Sequence, residues 1–195
     1  MQTRTMSTSS PKVRQIVTVG MLSAIIVVLG VTGLGFIPIP PVKATIMHLP
    51  VIIGAIIEGP VVGAAIGLFF GLFSMFQAIT NPTPTSFLFL NPIIAVLPRV
   101  LIGITAYYTY KIVPGKIKSI KYGLAAAVGT LTNTILVLGL IYLIYLERFA
   151  KALNINIAQA RATIIGIGMT NGLPEVLVSI AIVVPVAMAV DKIRK

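Results

Sequence analysis

The chain has no cysteine and no tryptophan, one histidine, and only four acidic residues among 195. Without cysteine there is neither a disulfide framework nor a thiolate metal site. One histidine and four acids cannot build a histidine-rich metal centre, and no H-E-x-x-H run occurs. A phosphate-binding Gly-x-x-x-x-Gly-Lys-[Ser/Thr] loop is missing as well: Gly115-Lys116 is followed by Ile117 and lacks the upstream glycine. No G-x-S-x-G elbow is present. These absences argue against an enzyme, against ATP hydrolysis by this chain and against a bound cofactor.

What the chain has is apolar surface. It is 57% hydrophobic and 10% charged, with a mean hydropathy of +1.03. A water-soluble domain of this size could not hide so much, so the composition specifies an integral membrane protein. The net charge of +11 could suggest nucleic acid, but the basic residues sit in short runs between hydrophobic spans. That placement is a topology signal and not a nucleic-acid patch. The first apolar run is too long for a cleavable signal peptide, and no small-residue cleavage site follows it. Residues 1–12, rich in Ser and Thr, read as a disordered cytoplasmic tail, and residues 13–195 as a single domain.

Hydropathy predicts an all-α membrane protein with six spans. The first, Gln15–Gly33, carries Gly20 and Ala24 one turn apart, a spacing that lets another helix approach closely. Leu34–Thr45 has three prolines in four positions, which forbids a helix and suits an extended lid or a plain connector. Ile46–Ile57 is short for a span, with His48 and Pro50 at its start; His48 fits a structural hydrogen bond or a ligand contact. After the Glu58-Gly59-Pro60 turn, Val61–Ala78 bears glycines at 63, 67 and 71, a smooth stripe for helix packing. Ile79–Leu90 is a proline-punctuated loop. Its Asn-Pro step at 81 and the one at 91 resemble the half-helix motif of water channels only weakly, since they do not lie in matching halves. The remaining spans are Asn91–Tyr110, Tyr122–Leu146 and about Arg161–Val190, the last interrupted at Asn171–Glu175, with a polar loop at Glu147–Ala160.

Six spans put both termini on one side. That side collects ten basic residues (Arg4, Lys12, Arg14, Lys111, Lys116, Lys118, Lys121, Lys192, Arg194, Lys195) against four on the other (Lys43, Arg148, Lys151, Arg161). The bias makes both termini cytoplasmic.

Arg99 lies about eight residues into the fourth span. A guanidinium keeps its proton, and a cation at the centre of a membrane helix costs upward of about 2.5–3.5 kcal/mol. Pro98 lacks an N–H and frees a carbonyl one turn back. Thr130, Asn133, Asn171 and Glu175 fall at comparable depth, with Asn91 at the head of the fourth span. Two readings stand. Arg99 pairs with Glu175 in an internal network, or it grips the carboxylate of a small solute while Asn133 and Asn171 read hydroxyl and amide groups. An independent channel or carrier is a rival, although four acids offer little for proton coupling.

From about Val13 onward the chain resembles the substrate-binding S components of energy-coupling factor (ECF) vitamin transporters. The likeness is carried by six spans in under 200 residues, the Gly20–Ala24 pair, and Thr45–Gly71, TIMHLPVIIGAIIEGPVVGAAIGLFFG. Its His-Leu-Pro-Val-Ile-Ile-Gly-Ala run is most similar to the pantothenate branch, and less so to riboflavin and folate members. The resemblance implies an S-component-like bundle in a prokaryotic plasma membrane that captures a vitamin outside. It would then dock on a transmembrane coupling subunit and two cytoplasmic ATPases. The family's Ala-x-x-x-Ala contact with the coupling subunit falls here on Gly20 and Ala24, of which only Ala24 matches the type. The family's gate would be Leu34–Thr45. One arginine with several amides and hydroxyls suits pantothenate; folate, biotin, lipoate or niacin also bring a carboxylate.

Overall fold

Inside a bilayer the backbone finds no water to bond, so apolar stretches close their own hydrogen bonds as helices. The computed structural model, which describes residues 10–37 and 44–193, is helical almost throughout. α1 (Pro11–Thr32) opens with Ser10 Oγ accepting from the Val13 N–H at 3.4 Å. It closes at Gly33, whose φ of 75° is a left-handed cap that glycine adopts without strain. The helix thus begins inside the stretch assigned to a tail; residues 1–9 lie outside the described residues. Strands β1 (Phe36–Ile37) and β2 (Ala44–Thr45) pair antiparallel, with Phe36 opposite Thr45. The two stems of the expected lid are therefore extended and tied together, while Pro38, Pro40 and Pro41 lie outside the described residues.

The chain continues as α2 (Leu49–Glu58), α3 (Pro60–Thr80), a 3₁₀ turn at Ser86–Leu90, α4 (Pro92–Ala95) and α5 (Leu97–Ile112). It ends with α6 (Lys118–Ile144), α7 (Leu146–Ala152) and α8 (Ile157–Ile193). Five helices, with α4 and α5 taken together, are long and apolar enough to cross a membrane. The ten-residue α2 is not: it is about 15 Å long against a hydrocarbon core of about 30 Å. Its residues from Leu49 to Ile56 are all buried, since α1, α3, α5 and α8 enclose it. A helix wrapped in protein need not match the bilayer.

Two expectations for the C-terminal third are corrected. The polar stretch 147–160 is not a loop: it holds most of α7 and the first turn of α8. Asn156 Oδ1 accepts from the Gln159 N–H at 2.8 Å, and Gln159 Oε1 accepts from the Asn156 N–H at 3.0 Å. This reciprocal pair is a capping box, which starts α8. The expected interruption at Asn171–Glu175 is also absent, because α8 runs unbroken for 37 residues with Pro174 and Pro185 inside it. A proline removes one intrahelical bond, a loss that membrane helices absorb through neighbouring contacts.

Side-chain contacts set the helix directions. At one end Arg14 meets Glu58 at 3.2 Å, Lys118 meets Asp191, and the Tyr110 and Tyr122 rings stack 5.3 Å apart. At the other, Gln77 Nε2 donates to the Gly30 carbonyl at 2.9 Å, and Asn91 Nδ2 donates to Tyr145 Oη at 3.2 Å. Successive long elements therefore run antiparallel, and the two described chain ends share one end of the bundle.

The glycine stripe of α3 is a packing surface. A Cβ on Gly63 would lie 3.0 Å from Gly103 Cα, one on Gly67 only 2.2 Å from the Arg99 carbonyl oxygen, and one on Gly71 2.7 Å from that of Ala95. The α3 backbone touches α5 at Gly63 and Gly67 and the end of α4 at Gly71, and the contact holds the Arg99 backbone in place. Gly67→Ala is expected to force the helices apart and destabilise the protein by about 1–3 kcal/mol. Gly139→Ala, with nothing within 4 Å of the new methyl, should be neutral or slightly stabilising; thermal unfolding in detergent compares them.

Candidate functional site

Arg99 stands in the first turn of α5 and is 6% exposed. The short α4 begins at Asn91, whose side chain accepts from the Ile93 N–H at 2.9 Å. Asn91 is thus committed to a helix cap and to Tyr145. Pro98 has no N–H to donate to the carbonyl four residues back, that of Ile94. Arg99 Nη1 takes this freed acceptor at 2.6 Å. The guanidinium Cζ also lies 5.4 Å from the Phe70 ring centroid and 5.3 Å from that of Phe89. No ion pair joins Arg99 to Glu175, so that reading of the arginine is set aside. Its Nε is buried without a hydrogen-bond partner.

A second polar group lies where α2, α6, α8 and β2 meet. His48 Nε2 and Thr130 Oγ1 share a hydrogen bond of 2.9 Å, and both residues are fully buried. One turn on, Thr134 Oγ1 donates to Glu175 Oε2 at 3.2 Å, and the Thr45 N–H donates to Glu175 Oε1 at 2.7 Å. The carboxylate therefore ties the base of the β1–β2 hairpin to the bundle. A charge-assisted bond of this kind is stronger than a neutral one. Asn133 is buried on the same face of α6 as Thr130, with its Oδ1 unpartnered. On α8, Asn171, Glu175 and Ser179 recur every four residues as one buried polar stripe. Asn171 Oδ1 accepts from Thr170 Oγ1 at 3.2 Å, and Ser179 Oγ donates to the Ala126 carbonyl at 3.4 Å.

The bundle interior therefore holds two polar groups, Arg99 with its rings and the cluster of His48, Thr130, Asn133, Thr134, Asn171 and Glu175. Phe70 and Phe89 belong to the first group and Thr45 and Ser179 to the second, and all four went unread in the sequence. Only Ser179 had a signal, its four-residue spacing from Glu175. Two grooves on the flanks are lined chiefly by apolar side chains. One of about 520 Å³ lies between α6 and α8 and touches Thr134; the other, about 450 Å³, lies among α1, α2 and α8. Arg99 lines neither.

Gly20 and Ala24 share one face of α1, and both are exposed; a Cβ on Gly20 would meet nothing within 4 Å. Among the described residues this face is left on the bundle surface. Exchange behaviour probes the Glu175 tie. Glu175→Ala is expected to raise the hydrogen-exchange rate of the Thr45 amide by about tenfold or more, the worth of a charge-assisted bond. The α3 core amides should keep wild-type protection, as read by exchange mass spectrometry.

Comparison with known proteins bears on the whole chain. The family model described as "ECF transporter, substrate-specific component" matches residues 14–187. The chain is 39% identical over 168 residues to the pantothenic acid transporter PanT of Lactococcus lactis subsp. cremoris, covering 79% of this chain and 81% of that protein. It is 35% identical over 94 residues to the pantothenate transporter PanT of Leuconostoc mesenteroides, 46% of each chain. With a matched region spanning nearly every helix, and helices apolar enough to cross a bilayer, this multi-pass membrane protein belongs to the substrate-specific component family of ECF transporters.

Proposed function

We propose that the chain is the vitamin-capturing S component of an ECF-type importer and that its cargo is pantothenate. The observation that carries this reading is a buried guanidinium with no carboxylate partner among the described residues and an unpartnered Nε. Such a charge is suited to an anionic guest, and the names of the two PanT relatives supply the guest's identity. Pantothenate carries one carboxylate, one amide and two hydroxyls. Arg99 receives the carboxylate, while Asn133, Asn171, Thr130 and His48 read the neutral groups. Asn91 and Glu175 act at the rim: the first caps α4, whose Ile94 carbonyl receives Arg99, and the second holds the base of the hairpin.

In this reading α2 joins the five long helices as a sixth, partial pass, and both termini face the cytoplasm of a prokaryotic cell. The antiparallel contacts and the positive-inside bias support that topology. Captured vitamin is delivered inward after the chain docks through the exposed Gly20–Ala24 face on the transmembrane coupling subunit. Two cytoplasmic ATPases drive the cycle, since the chain has no phosphate-binding loop of its own.

Calorimetric titration tests the site. Arg99→Ala should weaken pantothenate binding about a hundredfold or more, the loss of two charge-assisted bonds. Arg99→Lys should stay poor because an ammonium lacks the fork geometry; wild-type affinity in either variant would refute the assignment. Gly20→Leu and Ala24→Leu should bind pantothenate normally yet fail to co-purify with the coupling subunit. Uptake by liposomes holding this chain alone would favour the independent carrier instead.

A further inference from the structure

A cation held inside a membrane protein must be stabilised by something, and what stabilises it decides what it can still bind. Arg99 uses one nitrogen, Nη1, on the Ile94 carbonyl. Two π faces also stand against it, Phe70 from α3 and Phe89 from the 3₁₀ turn. Both ring centroids lie inside the range of about 6 Å over which a ring attracts a guanidinium. A ring stabilises the charge without neutralising it and without taking up an N–H. A carboxylate would do both. The bundle's own carboxylate at this depth, Glu175, is engaged elsewhere, by the Thr45 amide and the Thr134 hydroxyl. Nε and Nη2 lie on the same edge of the planar fork, and neither donates a hydrogen bond within the described residues; Nε is buried as well.

We propose that Phe70 and Phe89 are positioning residues for carboxylate recognition, holding the guanidinium so that its Nε–Nη2 edge receives a carboxylate through two parallel N–H···O bonds. This rests on the reading of Arg99 as the vitamin's anion receptor. The two rings differ in what supports them. Phe70 is fixed in the core, 1% exposed. Phe89 is half-buried, and its turn is pinned by the Thr83 N–H donating to Ser86 Oγ at 2.7 Å and by buried Leu88. Orientation of the arginine therefore depends on a loop outside the helix that carries it. Loss of either ring frees the fork to turn, and the cost falls on guests that need both donors at once.

The test compares pantothenate with panthenol, which has a primary alcohol in place of the carboxylate. Both are titrated against the wild type, Phe89→Leu, Phe89→Tyr and Phe70→Leu. In parallel, ¹⁵N-arginine NMR of the detergent-solubilised protein reads rotation of the Arg99 guanidinium, with its signal assigned by loss in Arg99→Lys. Phe89→Leu is expected to weaken pantothenate about tenfold and panthenol less than about twofold. Phe89→Tyr should restore the preference, and the leucine variants should speed guanidinium rotation. Equal losses for both ligands would make Phe89 merely structural and overturn the proposal. So would an unchanged preference with unchanged rotation. If Phe70→Leu does not fold, Phe89→Leu alone decides. If the wild type binds neither ligand, the pantothenate reading fails by itself, and the rotation rates still decide whether the rings hold the fork.

Discussion

A permanent charge with no carboxylate partner among the described residues, kept inside an apolar bundle, is the constraint on which the rest of this structure turns. Leaving it bare would be costly, and pairing it with an internal carboxylate would cancel it. The fold does neither. Pro98 strips the Ile94 carbonyl of its helical donor, and the next residue along the chain supplies a new one from its side chain. Two phenyl rings contribute the remaining stabilisation. The net positive charge survives, already desolvated, which strengthens any interaction with an anion that enters.

Keeping that arrangement demands a stiff support, and the glycines of α3 provide it. Without side chains at 63, 67 and 71, the α3 backbone lies directly on α5 and the end of α4, and Gly67 touches the carbonyl of Arg99 itself. Gly103 completes the contact from the other helix. In lipid, where apolar side chains gain nothing by leaving the solvent, such close backbone approach is a main source of helix association. The same packing that stabilises the bundle therefore sets the depth and direction of the arginine.

The opposite wall is held differently. Glu175, Thr134, Thr130 and His48 form a polar seam from α8 through α6 to the start of α2, and the seam ends on the Thr45 amide. One carboxylate oxygen thus reaches the base of the hairpin, while the other stays on the bundle. The hairpin is held by more than this bond: the Gly35 N–H donates to the Leu29 carbonyl at 2.8 Å, and Phe36 packs against the core. The α3–α5 contact thus fixes the backbone that carries the charge, and the polar seam fixes the base of the hairpin.

Much of this was legible in the chain. Helical membrane architecture follows from hydropathy, because hydrocarbon leaves the backbone no other way to satisfy itself. The glycine stripe, the spacing of Gly20 and Ala24 and the carbonyl released by Pro98 follow from local stereochemistry, whereas the exposure of that pair is decided by packing. The capping box at Asn156 and Gln159 was equally readable from spacing, and polarity obscured it. Other features had no local signal. Proline argued for a break in α8, and only packing along its length shows that the helix runs through. Residue count placed Arg99 and Glu175 at similar depth, but depth says nothing of azimuth around the bundle. Three-dimensional packing alone decided that Glu175 faces the hairpin and that Phe70 and Phe89 face Arg99. A spacing along one helix cannot specify which side chains of other helices will stand against it.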